Sequence, residues 1–164
     1  MKATKPENIH ITLKYLGKTD SRTIEKVLAS TRKIARTSPY FNLEIGQPRT
    51  LSNSPNSRII YAEIGGDLKA LTTLQYKLER ALINLGYPSD RQEYKPHLTL
   101  ARLKYETPSS NSLVMLLDLL SDQLKDKVRI EVKEICLFRS TLHPQGAIYH
   151  NIAAIKLSPN NEYL

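Results

Sequence analysis

Short runs in which apolar and polar residues alternate recur along the chain and predict β-strands. These runs cover residues 9–16, 41–45, 58–64, 97–103, 128–139 and 147–157. Between them, apolar residues spaced by three or four predict helices over about 21–36, 68–85 and 112–125. Asp20 or Ser21 and Asp67 are the expected N-caps, and Gly86 is expected to close the second helix.

Proline and asparagine dominate residues 48–57, which are predicted to form a loop. A turn near 143–146 is expected to join the last two strands, and the tail after Ser158 is expected to fray. Short connections between paired strands favour antiparallel sheets with helices packed against them. The pattern therefore predicts an α+β fold with no domain linker.

Two histidines head the same pattern, His-x-Thr-Leu-x-x-Leu, each with a proline upstream. Chance places x-Thr-Leu after a given histidine in only about 1% of cases at this composition, so a repeated copy carries information. Alternate residues of a strand point to the same side. His10 therefore shares a face with Thr12, and His97 shares one with Thr99, while apolar residues occupy the opposite faces.

If the two strands lie side by side, they form a groove with two imidazoles and two hydroxyls. Such a groove suits chemistry at a phosphate. One histidine can be neutral and act as general base while the other is protonated and acts as general acid. Threonine hydroxyls can donate hydrogen bonds to anionic oxygens and stabilise charge as it develops. We therefore expect His10 and His97 to be the catalytic pair, and Thr12 and Thr99 to bind phosphate.

The two motifs are also compatible with a purely structural role or with a zinc site. A single His-x-Thr is more often a satisfied histidine on a half-buried strand, although the matched pair weakens the case for a structural role. A zinc site would use His143 or His150 as a further ligand. Catalytic zinc sites usually have three protein ligands, and neither residue lies in a motif typical of them. We expect no metal and no cofactor.

Charge and composition narrow the classes of molecule that the protein is expected to bind and its expected location. Lysine and arginine number 24 against 16 acidic residues, a formal net charge of +8 over 164 residues. This excess favours nucleic acid or phosphorylated metabolites, although an ordinary basic surface has the same charge. The single cysteine, Cys136, is more typical of a structural thiol than of a nucleophile. Without a signal-peptide core or a membrane-length apolar run, we expect a cytoplasmic protein with no membrane contact.

Two stretches resemble the motifs of the 2H phosphoesterase superfamily, and in particular those of LigT-like RNA 2′,3′-cyclic phosphodiesterases, also called RNA 2′,5′-ligases. The first is Pro-Glu-Asn-Ile-His-Ile-Thr-Leu-Lys-Tyr-Leu-Gly at 6–17, and the second is Tyr-Lys-Pro-His-Leu-Thr-Leu-Ala-Arg at 94–102. A late segment, Leu-Phe-Arg-Ser-Thr-Leu at 137–142 followed by Gly146 and Tyr149, is also similar to this family.

The resemblance implies a single bilobal domain over residues 1–164 with pseudo-two-fold symmetry. Each lobe would hold an antiparallel sheet flanked by helices and contribute one His-x-Thr strand to a cleft. The implied reaction is metal-independent opening of a terminal RNA 2′,3′-cyclic phosphate to a 2′-phosphate, with reverse joining of RNA ends through a 2′–5′ bond. His10 would protonate the leaving 3′ oxygen, His97 would activate water, and Arg102 matches a family arginine that stacks on the terminal base.

Family members usually begin with a further strand and helix, and this chain is predicted to lack them because its first motif starts within ten residues of Met1. The partners would be RNA ends or nucleotide cyclic phosphates, and we expect a monomer. The same chemistry could serve small cyclic nucleotides or 2′–5′ linked substrates, or the chain could be a non-catalytic RNA- or phosphate-binding module. Lys14 shares the parity of His10, so it either lines the groove or is solvated.

Overall fold

The computed structural model describes residues 2–54, 57–90, 92–104, 110–124, 128–143 and 146–159. This described part confirms the α+β prediction, with helices and antiparallel strand pairs. Its elements in chain order are β1 (Lys2–Ala3), a 3₁₀ turn (Pro6–Asn8), α1 (Ser21–Ala35), β2 (Phe41–Ser54), β3 (Ser57–Gly66), α2 (Leu68–Ile83), β4 (His97–Lys104), α3 (Ser110–Gln123), β5 (Arg129–Val132), β6 (Glu134–His143) and β7 (Gly146–Lys156).

The first of two compact units comprises Met1–Thr12, Leu43–Gly66 and Lys95–Ile130. Most of it is a sheet in the strand order β1-β4-β3-β2-β5. Its core includes Ile60, Ala101, Leu103 and Leu113, each at most 7% exposed, and further leucines of α3 pack against them. These apolar side chains bury one face of the sheet, and the opposite face carries polar residues together with buried Ile59.

The second unit comprises Leu13–Asn42, Asp67–Tyr94 and Glu131–Leu164. It contains a β6–β7 hairpin, and α1 contacts both this hairpin and α2. The side chain of Asp20 caps α1 by accepting from the backbone N–H of Thr23 at 3.0 Å, as the sequence predicts. The helix predicted near 68–85 is also confirmed, and its buried face includes Leu71, Leu74, Leu78 and Leu82.

Several predicted boundaries are wrong. Residues 48–54 and 57 belong to strands rather than a loop, because β2 passes through buried Pro48 after a bulge between Ile45 and Pro48. Asp67 precedes α2 without a side-chain cap bond, and its carboxylate instead accepts from the backbone N–H of Asn42 at 2.9 Å. The predicted strand 128–139 is split at Lys133 into β5 and β6.

The predicted strand over 9–16 is also wrong. In this segment the structure records only an isolated antiparallel bridge at Ile11. Beyond Thr12 the chain leaves the sheet, since the carbonyl of Leu13 accepts from the side chain of Gln75 on α2. A strand needs a neighbouring strand along its length, and here the Leu13 carbonyl bonds to a helix side chain instead.

Four expectations stay untested. The turn residues 144–145 and the tail from 160 lie outside the described residues. The missing first strand and helix, and the single bilobal domain, stay predictions. Both His-x-Thr motifs fall in the first unit. Within the described ranges, no helix combines the length and apolar character needed to cross a membrane.

Candidate active site

Both catalytic candidates are held by the same backbone contact. Nδ1 of His10 lies 2.7 Å from the carbonyl oxygen of Asn8, and Nδ1 of His97 lies 2.9 Å from that of Lys95. A carbonyl oxygen only accepts, so each Nδ1 donates and the lone pair of the neutral ring lies on Nε2. Two motifs far apart in the chain therefore hold their imidazoles by the same contact.

The local backbone explains this repeated contact. A 3₁₀ turn starts at Pro6 and ends with the N–H of Ile9 bonded to the Pro6 carbonyl at 3.1 Å. In the second motif, Pro96 restricts Lys95 to extended conformations, as proline does to any preceding residue. The fixed backbone follows the proline in the first motif and precedes it in the second, and in both the carbonyl two residues before the histidine accepts from the ring.

The two motifs lie side by side through an antiparallel bridge between Ile11 and Leu98. Antiparallel register places His10 opposite Thr99 and Thr12 opposite His97. All four point away from Leu98, which is only 4% exposed and faces the core. We call this arrangement of His10, Thr12, His97 and Thr99 the His-Thr square.

Each histidine occupies a corner of the square diagonal to the other. Directly opposite residues in such a pair have Cβ atoms about 4.5–5.5 Å apart, and diagonal residues are about 7–8 Å apart. The imidazoles of His10 and His97 therefore belong to one of the two diagonal, more widely spaced pairs of this set. Thr12 and Thr99 occupy the other diagonal, where their hydroxyls can reach the non-bridging oxygens.

A β-bulge interrupts β4 just after the second motif. Tyr61 pairs with Thr99 and Ile60 pairs with Ala101, so Leu100 is an extra residue in β4. Such a bulge reverses the alternation of side chains between the two faces of a strand. Its position between Thr99 and Ala101 determines where every later side chain of β4 points.

The bulge places Arg102 on the same face as the His-Thr square. Leu98 faces the core before the bulge, whereas Ala101 and Leu103 face it afterwards, at 6% and 3% exposure. Arg102, which is exposed, consequently lies on the polar face with Thr99. Uninterrupted alternation would have directed Arg102 to the core side instead, because it is four residues from Leu98.

His97 has further neighbours that sequence reasoning missed. The ring of Tyr61 makes an edge contact with its imidazole, with centroids 5.7 Å apart and planes at 76°. Glu63 pairs with His97 across the strands and forms a 3.2 Å ion pair with Arg49. The alternation of Ile60, Tyr61, Ala62 and Glu63 hinted at a polar side of β3, but only the strand pairing brings Tyr61 to the site.

Lys14 does not join this group. Its side chain, 5% exposed, lies in the second unit and forms ion pairs with Glu79 at 2.9 Å and Asp90 at 3.0 Å. Burial opposes the lysine charge, but hydrogen bonds and ion pairs with these carboxylates raise the pKa of Lys14. Burial likewise opposes ionisation of Glu79, and bonds from Lys14 and the Asp90 N–H lower its pKa. The prediction that Lys14 is solvated is therefore wrong, and the prediction that it lines the groove stays untested.

Other candidates lie elsewhere. Among described residues, no group of three or more His, Cys, Asp or Glu side chains is placed to hold a metal ion. His143 and His150 are exposed on the β6–β7 hairpin of the second unit. Burial, followed by the nearby Glu134, raises the pKa of Cys136, which disfavours a nucleophilic thiolate.

Comparison with known proteins identifies the family of this chain. The model of the 2′-5′ RNA ligase superfamily matches residues 3–144. A protein of Aeropyrum pernix named RNA 2′,3′-cyclic phosphodiesterase is 30% identical over 95% of this chain and 86% of its own. A protein of the same name from Methanocaldococcus jannaschii is 32% identical over 93% of this chain and 82% of its own.

Solved structures share the fold. The crystal structure of TT0787 from Thermus thermophilus superposes with a TM-score of 0.76 at 23% identity, covering 97% of this chain and 83% of that one. Apo LigT of E. coli gives a TM-score of 0.71 at 18% identity, covering 96% and 80%. The class indicated by the two motifs, the LigT-like 2H phosphoesterases, is confirmed. The chain belongs to the 2′-5′ RNA ligase superfamily.

Proposed function

We propose that this protein hydrolyses terminal 2′,3′-cyclic phosphates of RNA to 2′-phosphates without a metal ion. Family membership and relatives named for this activity support the reaction and the substrate class. The bridge between Ile11 and Leu98 is the observation that carries the mechanism. It assembles two imidazoles and two hydroxyls on one face within a single unit.

His10 and His97 supply the acid and the base. Nε2 of His97 takes a proton from water, whose oxygen bonds to phosphorus while the bond from phosphorus to O3′ breaks. Protonated His10 gives its Nε2 proton to O3′, so the product has a 2′-phosphate and a 3′-hydroxyl. Attacking and leaving oxygens lie roughly in line during phosphoryl transfer, and diagonal corners of the square place one imidazole beside each.

The remaining site residues bind the substrate. Thr12 and Thr99 donate hydrogen bonds to the non-bridging oxygens, where negative charge concentrates during the reaction. Arg102 contacts the terminal nucleotide and stacks its planar guanidinium on the base. Its placement by the bulge on the face of the square supports this role.

The same square serves ligation when a 5′-hydroxyl replaces water. Oxygen of that hydroxyl then bonds to phosphorus, the bond to O3′ breaks, and the RNA ends are joined through a 2′–5′ linkage. In this proposal the protein is cytoplasmic and acts as a monomer. Sedimentation at assay concentration tests the monomer, and cell fractionation tests the location.

A second candidate substrate is a small cyclic nucleotide. A structural neighbour, E. coli LigT, has been crystallised with 3′-AMP, which supports mononucleotide binding by this fold. Rates on a mononucleotide 2′,3′-cyclic phosphate and on RNA with the same terminus separate the two substrates. Tight RNA binding without turnover would instead favour a non-catalytic binding module.

The decisive experiment supplies RNA ending in a 2′,3′-cyclic phosphate in the presence of EDTA and identifies the product. We expect a 2′-phosphate, and we expect His10→Ala and His97→Ala each to lose at least a hundredfold in rate. His150→Ala is the matched control, because His150 is an exposed histidine outside the square. Folded wild-type protein that needs added metal, or that leaves the RNA intact, contradicts the proposal.

A further inference from the structure

Tyr61 lies beside the reacting pair but has no part in the proposed chemistry. It pairs with Thr99 of β4 on one side and with Arg49 of β2 on the other. Its ring, half-buried, contacts His97 at a centroid distance of 5.7 Å. Neighbouring strands are about 4.8 Å apart, so Tyr61 extends the polar face one strand beyond His97.

Two exposed residues of β2 lie on the same face as Tyr61. Arg49 is opposite Tyr61, and Leu51 is opposite Ile59, two positions along the same strands. The side chain of Arg49 is 59% exposed, and Leu51 is 51% exposed. The face therefore presents an aromatic ring, a cation and an apolar side chain next to the His-Thr square.

Arg49 can exchange its present partner for a phosphate at small cost. Its 3.2 Å ion pair with Glu63 is exposed on both sides. Exposed ion pairs contribute only about 0–1 kcal/mol, whereas phosphate is a bidentate partner for a guanidinium. A base stacked on an aromatic side chain in turn contributes about 1–3 kcal/mol in single-stranded nucleic-acid binding, whatever its sequence.

We propose that Tyr61, Arg49 and Leu51 form a subsite for the nucleotide that precedes the terminal one in single-stranded RNA. The terminal nucleotide binds at the square and contacts Arg102. Its 5′ neighbour is therefore the next group of the substrate that can reach β3. Tyr61 stacks on the base of this neighbour, and Arg49 contacts the intervening phosphodiester. The inference rests on the proposed function and assigns it RNA rather than mononucleotides as the preferred substrate.

The test compares kcat/KM for a mononucleotide 2′,3′-cyclic phosphate and for a dinucleotide with the same cyclic terminus. We expect wild-type protein to prefer the dinucleotide by about ten- to a hundredfold, from the stacking contribution. Tyr61→Leu retains bulk beside His97 but lowers this preference at least fivefold, while Tyr61→Phe retains it. Tyr76→Leu, which alters a tyrosine on α2 that is 61% exposed, is the matched control.

The outcomes separate the subsite from the proposed function. Equal losses on both substrates in Tyr61→Leu would show that Tyr61 only supports His97, and would overturn the subsite. Hydrolysis of both substrates at equal efficiency by wild-type protein also overturns it, while the phosphodiesterase function stands. Hydrolysis of neither by folded wild-type protein overturns the proposed function and the subsite together.

Discussion

Replacing His97 by asparagine removes the proposed base and keeps its contact with the backbone. The Nδ2 amide of asparagine can take the place of imidazole Nδ1 and donate to the Lys95 carbonyl, now 2.9 Å from the ring. The backbone bond, whose net contribution is about 0.5–1.5 kcal/mol, is then retained. What is lost is Nε2, the atom proposed to take the proton from water.

The expected loss follows from this single deletion. A positioned general acid or base contributes about 10²- to 10⁴-fold, or about 3–5 kcal/mol of transition-state stabilisation. Single-turnover hydrolysis of RNA with a terminal 2′,3′-cyclic phosphate measures the loss, and urea unfolding measures stability. We expect His97→Asn to unfold close to wild type, and His97→Ala to be less stable by about 1 kcal/mol because it also loses the Nδ1 bond.

The two histidines should also behave as a unit. If His10 and His97 act in one transition state, the double variant His10→Asn/His97→Asn should be little slower than the slower single variant. Rates of His97→Asn within tenfold of wild type, at full occupancy of substrate, would refute the assignment of His97 as the base. Fully multiplicative losses in the double variant would refute the coupling of the pair.

Three further predictions concern other parts of the molecule. Thr99→Val should weaken binding of inorganic phosphate, measured by calorimetry, because the methyl group cannot donate; unchanged affinity counts against its role. Lys14→Met should lower the free energy of unfolding by about 3 kcal/mol because Glu79 stays buried without its cation, and adding Glu79→Leu should restore part of the loss. The contribution of this pair to stability should persist between the ordinary pKa values of 4.5 for Glu79 and 10.5 for Lys14. It should fall in acid as the lowered pKa of Glu79 is crossed and in alkali as the raised pKa of Lys14 is crossed, and a urea midpoint independent of pH would contradict this.

The side-by-side placement of the two motifs was easier to predict from the sequence than their surroundings. The sequence predicts that each histidine shares a face with the threonine two residues later, His10 with Thr12 and His97 with Thr99, because strand parity depends only on counting residues. The course of the chain after Thr12 could not be predicted, since an alternating run does not reveal whether a neighbouring strand exists. Simple alternation puts Arg102 on the same face as Leu98. The bulge at Leu100 reverses this, and it could not be predicted because it depends on the pairing of β4 with β3.

The antiparallel bridge at the centre of the square has a consequence for the direction of catalysis. A half-turn about an axis through the Ile11–Leu98 pair exchanges the two motifs, so the four residues alone are equivalent from either side. Neighbouring residues must therefore determine which histidine acts as the acid and which as the base. Arg102 and Tyr61 both adjoin the second motif. In the proposed complex they fix the orientation of the nucleotide, and this gives a symmetric set of residues a directed reaction.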